Sequence, residues 1–226
     1  GDVYKRQIYI SAVDVNKEQV VNPVTKEVLG ITLEQAIADA DAITVEFEHI
    51  PEHLLEMAHQ AEKLKPSIES ILAGADRVRE KHLLDKLSIP NCPHVIINDV
   101  AQLPEAIKNL GDKLILKASR DGYDGYGQWR IQSQDDLPAL TEELNKLDLQ
   151  SVPLIAEKML QFQRELSLVG TRSQDGSFSF YPLVENRHHQ GQLHLTIAPA
   201  AQITDNLTQQ AQEAFRKLGD ELGYVG

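Results

Sequence analysis

Hydrophobic and polar positions change period along the chain, and the changes mark out its elements. Behind a Thr32–Gln35 pair with the sequence of a capping box, Leu33, Ala36, Ile37 and Ala40 recur at helical spacing. Ala42 to Glu48 then alternates strictly, which predicts a strand with Ile43, Val45 and Phe47 on one face. Pro51 stands where a first helical residue belongs and starts a helix whose Leu54, Leu55, Ala58 and Ala61 make an apolar stripe through Lys63. Residues 8–70 therefore predict a small α/β layer. Lys65-Pro66-Ser67 to Gly74 reads as a connection. Asp76 then opens a charged helix that ends before Ile89-Pro90, which sets a domain boundary near residue 75.

Beyond that boundary the pattern predicts a strand at His94–Ile97, a helix from Pro104 to Leu110 stopped by Gly111, and a strand from Lys113 to Ser119. The run Arg120 to Gln128, flanked by this strand and another around Trp129 to Gln132, reads as the tip of a β-hairpin. A helix at 137–147 precedes three strands at 153–159, 164–172 and 177–185, the last two joined by an Asp175-Gly176 turn, so an antiparallel meander is expected. Leu207, Ala211, Ala214, Phe215, Leu218 and Leu222 then share a helical face, with Gly223 as the stop and a further strand beginning before Gly226. Among classes the chain is α/β at its start and α+β in its larger part.

Composition narrows the function without identifying it. The 226 residues carry 22 Lys and Arg against 34 Asp and Glu, a formal charge of −12. Such a balance repels phosphate backbones and argues against nucleic acid as a partner, while leaving room for a local cationic pocket that holds one small phosphorylated ligand. The single Cys92 excludes an intramolecular disulfide framework and a cysteine zinc site. No apolar run approaches the roughly 18 residues that span a bilayer. No membrane partner is therefore expected, and the start lacks a signal-peptide pattern, which together predict a cytoplasmic protein.

The glycine-rich tip is the most informative segment. Gly122, Gly125 and Gly127 permit positive φ and close approach, so that backbone N–H groups can turn towards phosphate oxygens. A strand follows the glycines where a dinucleotide-binding fingerprint would have a helix. Lys117, on the strand entering the loop, shares a face with Ile115 and Ser119; it is placed either to reach a phosphate or to protect a sheet edge. Glu157 shares its strand face with Ile155 and Met159, as a hydrogen-bond acceptor beside an apolar purine pocket would, and Glu165 is a second carboxylate suited to ribose hydroxyls. Each is equally compatible with a solvated sheet face. Tyr181 to Gly191 gathers acidic, amide, basic and imidazole groups in a connection between strands. His188 and His189 are adjacent, without the i, i+4 spacing of a helical metal pair, and no metal ligands are assigned. No nucleophile elbow, Walker A sequence or triad order is present, and the catalytic residues are left unassigned.

Taken in order, five segments resemble the ATP-grasp superfamily and, within it, the 5-(carboxyamino)imidazole ribonucleotide synthetases of purine biosynthesis. They are Thr44 to Pro51, Asp76-Arg77 with Glu80-Lys81, Gly122 to Gln128, Arg164 to Leu168, and Tyr181 to Asn186 with His188. The resemblance spans residues 40–226. It implies an ATP-grasp fold over 76–226, in subdomains 76–150 and 151–226 with the second incomplete, after a partial pre-ATP-grasp α/β domain over 1–75. It also implies that Arg77 and Lys117 contact ATP phosphates and that the loop Gly122, Tyr123, Asp124, Gly125, Tyr126, Gly127 and Gln128 closes over them. Glu157, Lys158, Met159 and Leu160 would hold adenine, Glu165 would bind ribose, and His188 would be the ATP-site histidine. Glu48, Tyr123 and Tyr126 would face the ribonucleotide substrate. The implied enzyme is an ATP-dependent carbon–nitrogen ligase: with Mg²⁺, ATP phosphorylates bicarbonate, and the carboxyphosphate delivers carbon dioxide to the amine of 5-aminoimidazole ribonucleotide. Homodimers are implied as well.

Against the family pattern, Tyr126 stands where a Lys or Arg is usual, and GDVYKRQIYI stands in place of a glycine-rich strand-turn-helix. The family's magnesium carboxylates would follow Gly226, so these 226 residues are expected to lack turnover on their own. The alternatives are another ATP-grasp ligase, such as the formate-dependent glycinamide ribonucleotide formyltransferase, and a non-catalytic nucleotide-binding module.

Overall fold

A computed structural model describes residues 9–120, 122, 127–189 and 192–226. The chain divides into two compact units, one ending at Ile68 and the other running from Glu69 to Gly226.

In the first unit, strands β1 (Ala12–Asp14) and β2 (Gln19–Val21) pair antiparallel, with Val13 opposite Val20. Helix α1 (Leu33–Asp39) begins on the expected capping box: Thr32 accepts from the Gln35 N–H, and the Gln35 side chain accepts from the Thr32 N–H. At its other end the Lys63 ammonium donates to the carbonyls of Ile37 and Ala38, where the helix dipole favours a cation. Helix α2 (Glu52–Gln60) follows Pro51, and Val20, Val21, Leu55, Ala58 and Leu64 are buried. The strand expected over 42–48 does not form. Its backbone is taken up only around Ile43, which donates to Lys63 and accepts from Lys65 in a single parallel bridge to Leu64. Alternation alone does not make a strand when no neighbour takes up the remaining N–H and C=O groups.

The stretch read as a connection contains helix α3 (Ile68–Ala75), because Ile68 and Ile71 bury one turn apart. Helix α4 (Arg77–Lys86) starts on Asp76, whose carboxylate accepts from the N–H groups of Val78 and Arg79. The expected strands and helices then follow as β3 (His94–Ile97), α5 (Leu103–Leu110), β4 (Leu114–Ala118), β5 (Gln128–Ile131), α6 (Leu137–Leu144) and β6 (Leu154–Lys158). Strands β4 and β5 form the predicted hairpin, Leu114 facing Ile131 and Lys117 facing Gln128.

The meander is the main correction. Strand β6 does not join the strands after it but lies between β3 and β4, in an antiparallel sheet of order β3-β6-β4-β5. Residue 150 is therefore not a division between sheets. Leu154, Ile155 and Ala156 are all buried, so this strand lacks a solvated face and belongs in a sheet interior. One face of the sheet packs Ile97, Leu114, Leu116, Ile131, Leu154 and Ala156 against Leu103, Ala106 and Leu110 of α5 and Leu140 and Leu144 of α6.

The segment 164–172 breaks into β7 (Glu165–Ser167) and β8 (Gly170–Arg172), and 177–185 into β9 (Phe178–Phe180) and the start of β10 (Val184–His189). Strands β8 and β9 form the hairpin about Asp175-Gly176, while β7 pairs with β10 and β10 with β11 (Gln192–Ile197). Pro182, which cannot donate to a ladder, stands where the chain leaves one sheet for the other. The polar segment read as a connection is thus largely strand. Helix α7 (Asp205–Glu221) ends as expected: Gly223 adopts φ +56° and Tyr224 donates back to the Gly219 carbonyl. Gly226 exchanges both backbone hydrogen bonds with Arg172. Among the described residues no helix is long and apolar enough to cross a membrane.

Candidate functional site

The central sheet turns one face to α5 and α6, and its opposite face carries Ile115 and Lys117 of β4 with Ile155 and Glu157 of β6. Leu114 and Leu116 are fully buried in the core, so the residues between and after them, Ile115 and Lys117, project the other way. On β6 the same alternation brings Glu157 to that face, directly opposite Ile115 and diagonal to Lys117. The Lys117 ammonium donates to Glu157 Oε2 at 2.5 Å. The other carboxylate oxygen, Oε1, lies 2.7 Å from the Lys81 ammonium on α4. Lys81 is 7% exposed and Glu157 9%, so one nearly buried carboxylate is shared by two lysines.

Burial alone would favour the neutral acid. The hydrogen bonds and charges of Lys117 and Lys81 outweigh it and hold the Glu157 carboxyl below its ordinary value. Nearby, burial and the Glu157 charge push the Cys92 thiol up, and Cys92 Sγ donates to the Lys158 carbonyl at 3.1 Å.

Helix α4 meets the end of β4 through its first turn. The Arg77 N–H donates to the Ser119 carbonyl at 2.9 Å, and Ser119 donates its own N–H to Pro153. Arg77 and Lys81 are four residues apart and share one helix face. Ser119 is 1% exposed and its hydroxyl has no hydrogen-bond partner among the described residues. Two residues after Lys117 and bonded through its carbonyl to the first turn of α4, Ser119 holds an unsatisfied buried donor. At the foot of the hairpin tip Gly127 has φ +67°, its carbonyl accepts from Ala118, and a Cβ there would lie 3.1 Å from the Ala118 Cβ. Only glycine suits both the conformation and the space. Gly122 and Gln128 flank the tip; Tyr123, Asp124, Gly125 and Tyr126 lie outside the described residues.

The sheet of order β11-β10-β7 carries Glu165 and His188. Glu165 on β7 lies opposite Asn186 of β10 and diagonal to His188, whose Nδ1 is 3.5 Å from Glu165 Oε2. Asn186, on the same face of β10, donates to Ser167 Oγ at 2.6 Å and accepts from Thr196 Oγ1 at 3.0 Å, tying three strands together. Lys158 and Leu160 are exposed and Met159 half-buried beyond Glu157, with the Met159 N–H bonded to the Lys113 carbonyl. Glu48 lies exposed in the first unit, 3.6 Å from His49 Nε2. Lys81, Ser119 and Asn186 escaped assignment from the sequence. For Lys81 a signal existed, its place one turn after Arg77.

Residues 82–226 match the ATP-grasp domain. This chain belongs to the ATP-grasp family. It is 41% identical over 222 residues to the N5-carboxyaminoimidazole ribonucleotide synthase of Vibrio parahaemolyticus, a match covering 97% of this chain and 58% of that protein. The chain thus spans less than two thirds of the length of that relative. Among solved structures it is similar to the N5-carboxyaminoimidazole ribonucleotide synthetase of Thermus thermophilus, with 30% identity, a TM-score of 0.76, and coverage of 86% of this chain and 51% of the other. It is also similar to the Aspergillus clavatus N5-carboxyaminoimidazole synthase in complex with ADP and 5-aminoimidazole ribonucleotide, at 31% identity and a TM-score of 0.71, covering 86% and 49%. The ATP-grasp match begins within α4 and takes in the three sheets of the second unit, and with them Lys117, Glu157, Glu165 and His188.

Proposed function

We propose that this ATP-grasp chain is the nucleotide-binding part of an N5-carboxyaminoimidazole ribonucleotide synthase, an ATP-dependent ligase that carboxylates 5-aminoimidazole ribonucleotide with bicarbonate. One observation carries the reading: Lys117 and Glu157 pair across adjacent strands at the foot of a glycine hairpin, in a chain 41% identical over 97% of its length to a synthase of that name. We take the ATP-grasp part to start at Asp76.

ATP supplies the phosphoryl group that activates bicarbonate, and the protein's task is to hold and neutralise the phosphates. Lys117 and Arg77 offer charge, and Ser119 offers its free hydroxyl. The tip from Gly122 to Gln128 covers them with backbone N–H groups and keeps water from the activated acid. Glu157 to Leu160 line adenine. The Glu165 carboxylate accepts from ribose hydroxyls, and His188 orients that carboxylate from the adjacent strand. Glu48, Tyr123 and Tyr126 are assigned to the ribonucleotide.

Mg²⁺ belongs to this reading of the reaction, but among the described residues no three His, Cys, Asp or Glu side chains converge on a metal position, so no step is derived through it. The reading includes a homodimer acting in the cytoplasm; sedimentation at single-chain mass would remove the dimer.

Calorimetry with ATP tests the site directly. Lys117→Met is expected to weaken ATP binding by about tenfold, because a charge-assisted contact to phosphate is lost; an unchanged affinity would refute the assignment. Turnover is tested by joining this chain to the segments of the Vibrio relative that it does not match and measuring bicarbonate-dependent ADP release. Stimulation by 5-aminoimidazole ribonucleotide is expected, and its absence would sink the synthase reading. In the same chimera Tyr126→Lys should lower the KM for the ribonucleotide if a cation is needed at that position, and an unchanged KM would count against the assignment.

A further inference from the structure

Lys81 is 7% exposed, yet it sits on a helix that could have buried an apolar side chain there. Its partners are specific: Glu157 Oε1 at 2.7 Å and Asn91 Oδ1 at 3.4 Å. Asn91 is itself held, donating to Asp85 Oδ1 and to the Ile89 carbonyl, so the amide that steadies Lys81 is fixed from behind. Buried ion pairs stabilise a fold little compared with well-packed apolar groups, which leaves the charge of Lys81 to be explained by something other than stability.

The stoichiometry of the cluster supplies the explanation. Two ammonium groups share one carboxylate, one oxygen each, which leaves one positive charge over. Without Lys81, Glu157 would pair with Lys117 alone and cancel the charge offered to an anion. We propose that Lys81 is a positioning residue for phosphate binding: by holding one oxygen of Glu157 from α4, it keeps the charge of Lys117 available to phosphate oxygens. The proposal rests on the reading of this site as an ATP site.

The test compares ATP with adenosine, which has the same base and ribose but no phosphate, by calorimetry on the 226-residue protein. Lys81→Met leaves the Lys117–Glu157 pair intact and strands no charge. It should weaken ATP binding by about tenfold while changing adenosine affinity by less than about twofold. Lys81→Arg, which keeps the charge, should stay within about threefold of the original for ATP. Adding Glu157→Gln to Lys81→Met should return ATP affinity to that of Glu157→Gln alone, because the carboxylate that neutralised Lys117 is gone. The proposal is overturned by an unchanged ATP affinity in Lys81→Met, by equal losses for ATP and adenosine, or by a double variant as weak as Lys81→Met. If the unsubstituted protein binds adenosine and ATP equally well, or neither, the ATP reading falls first and the proposal with it.

Discussion

At the scale of single residues, the site is organised by one carboxylate. Glu157 is depressed below its ordinary value, so its contribution is present above the unfolded-state value of 4.5 and is lost as pH falls through the lower folded-state value. Stability of the second unit should therefore hold from neutrality down to that range and drop below it. Glu157→Gln should flatten that part of the profile in urea unfolding at stepped pH, and an identical profile would show that the carboxylate is not the titrating group. Ser119 gives a cleaner separation of fold from function. Its buried hydroxyl has no partner, so Ser119→Ala removes an unpaid desolvation and should leave the melting temperature unchanged or raised. The same change should weaken ATP binding a few-fold, and weaker binding without loss of stability is the signature sought by calorimetry and thermal melting together. The sequence put Lys117 and Ser119 on one strand; β4 ends at Ala118, and Ser119 follows it. The sequence could not show that Ser119 is left unsatisfied, since that depends on what the neighbouring helix and strand bring to it.

At the scale of elements, pattern and partner contribute separately. The capping box of α1, the Asp76 cap of α4, the Gly111 stop of α5 and the Gly223 stop of α7 were all legible, because each is satisfied by residues two to five positions away. The 42–48 strand was misread and the 164–172 strand proved to be two, because a strand's hydrogen bonds go to a neighbour that the local sequence does not specify. Helix α7 shows how one element is seated on another. Gly219 lies against the ring of Phe178, which stacks near Phe180 while both meet Phe215 edge-on. A Cβ at Gly219 would come within 2.8 Å of that ring. Gly219→Ala should therefore destabilise the unit by about 1–3 kcal/mol through overpacking, although alanine is the better helix former. A raised melting temperature would mean that the ring has room to move.

At the scale of the molecule, one hydrophobic cluster of the second unit is drawn from β3 to β6 with α5 and α6 and runs from Ile97 to Ala156. Leu116→Ala, at a fully buried position, should cost about 2–5 kcal/mol. Hydrogen exchange should report the loss in amides of β3 to β6 and leave those of Val20 and Val21 in the first unit unaffected; a uniform loss would show that the two units unfold together. The sequence by itself determined the caps and stops of α1, α4, α5 and α7, the apolar face of β4, the glycine hairpin, and the order of segments that marks the ATP-grasp family. These rest on period, caps and turn chemistry, which act over a few residues. Only the tertiary structure decided that β6 inserts between β3 and β4, and with it that Glu157 meets Lys117 on one side and Lys81 on the other. Sheet order joins residues 40 and 76 positions apart, and it is settled by where a strand apolar on both faces can be buried.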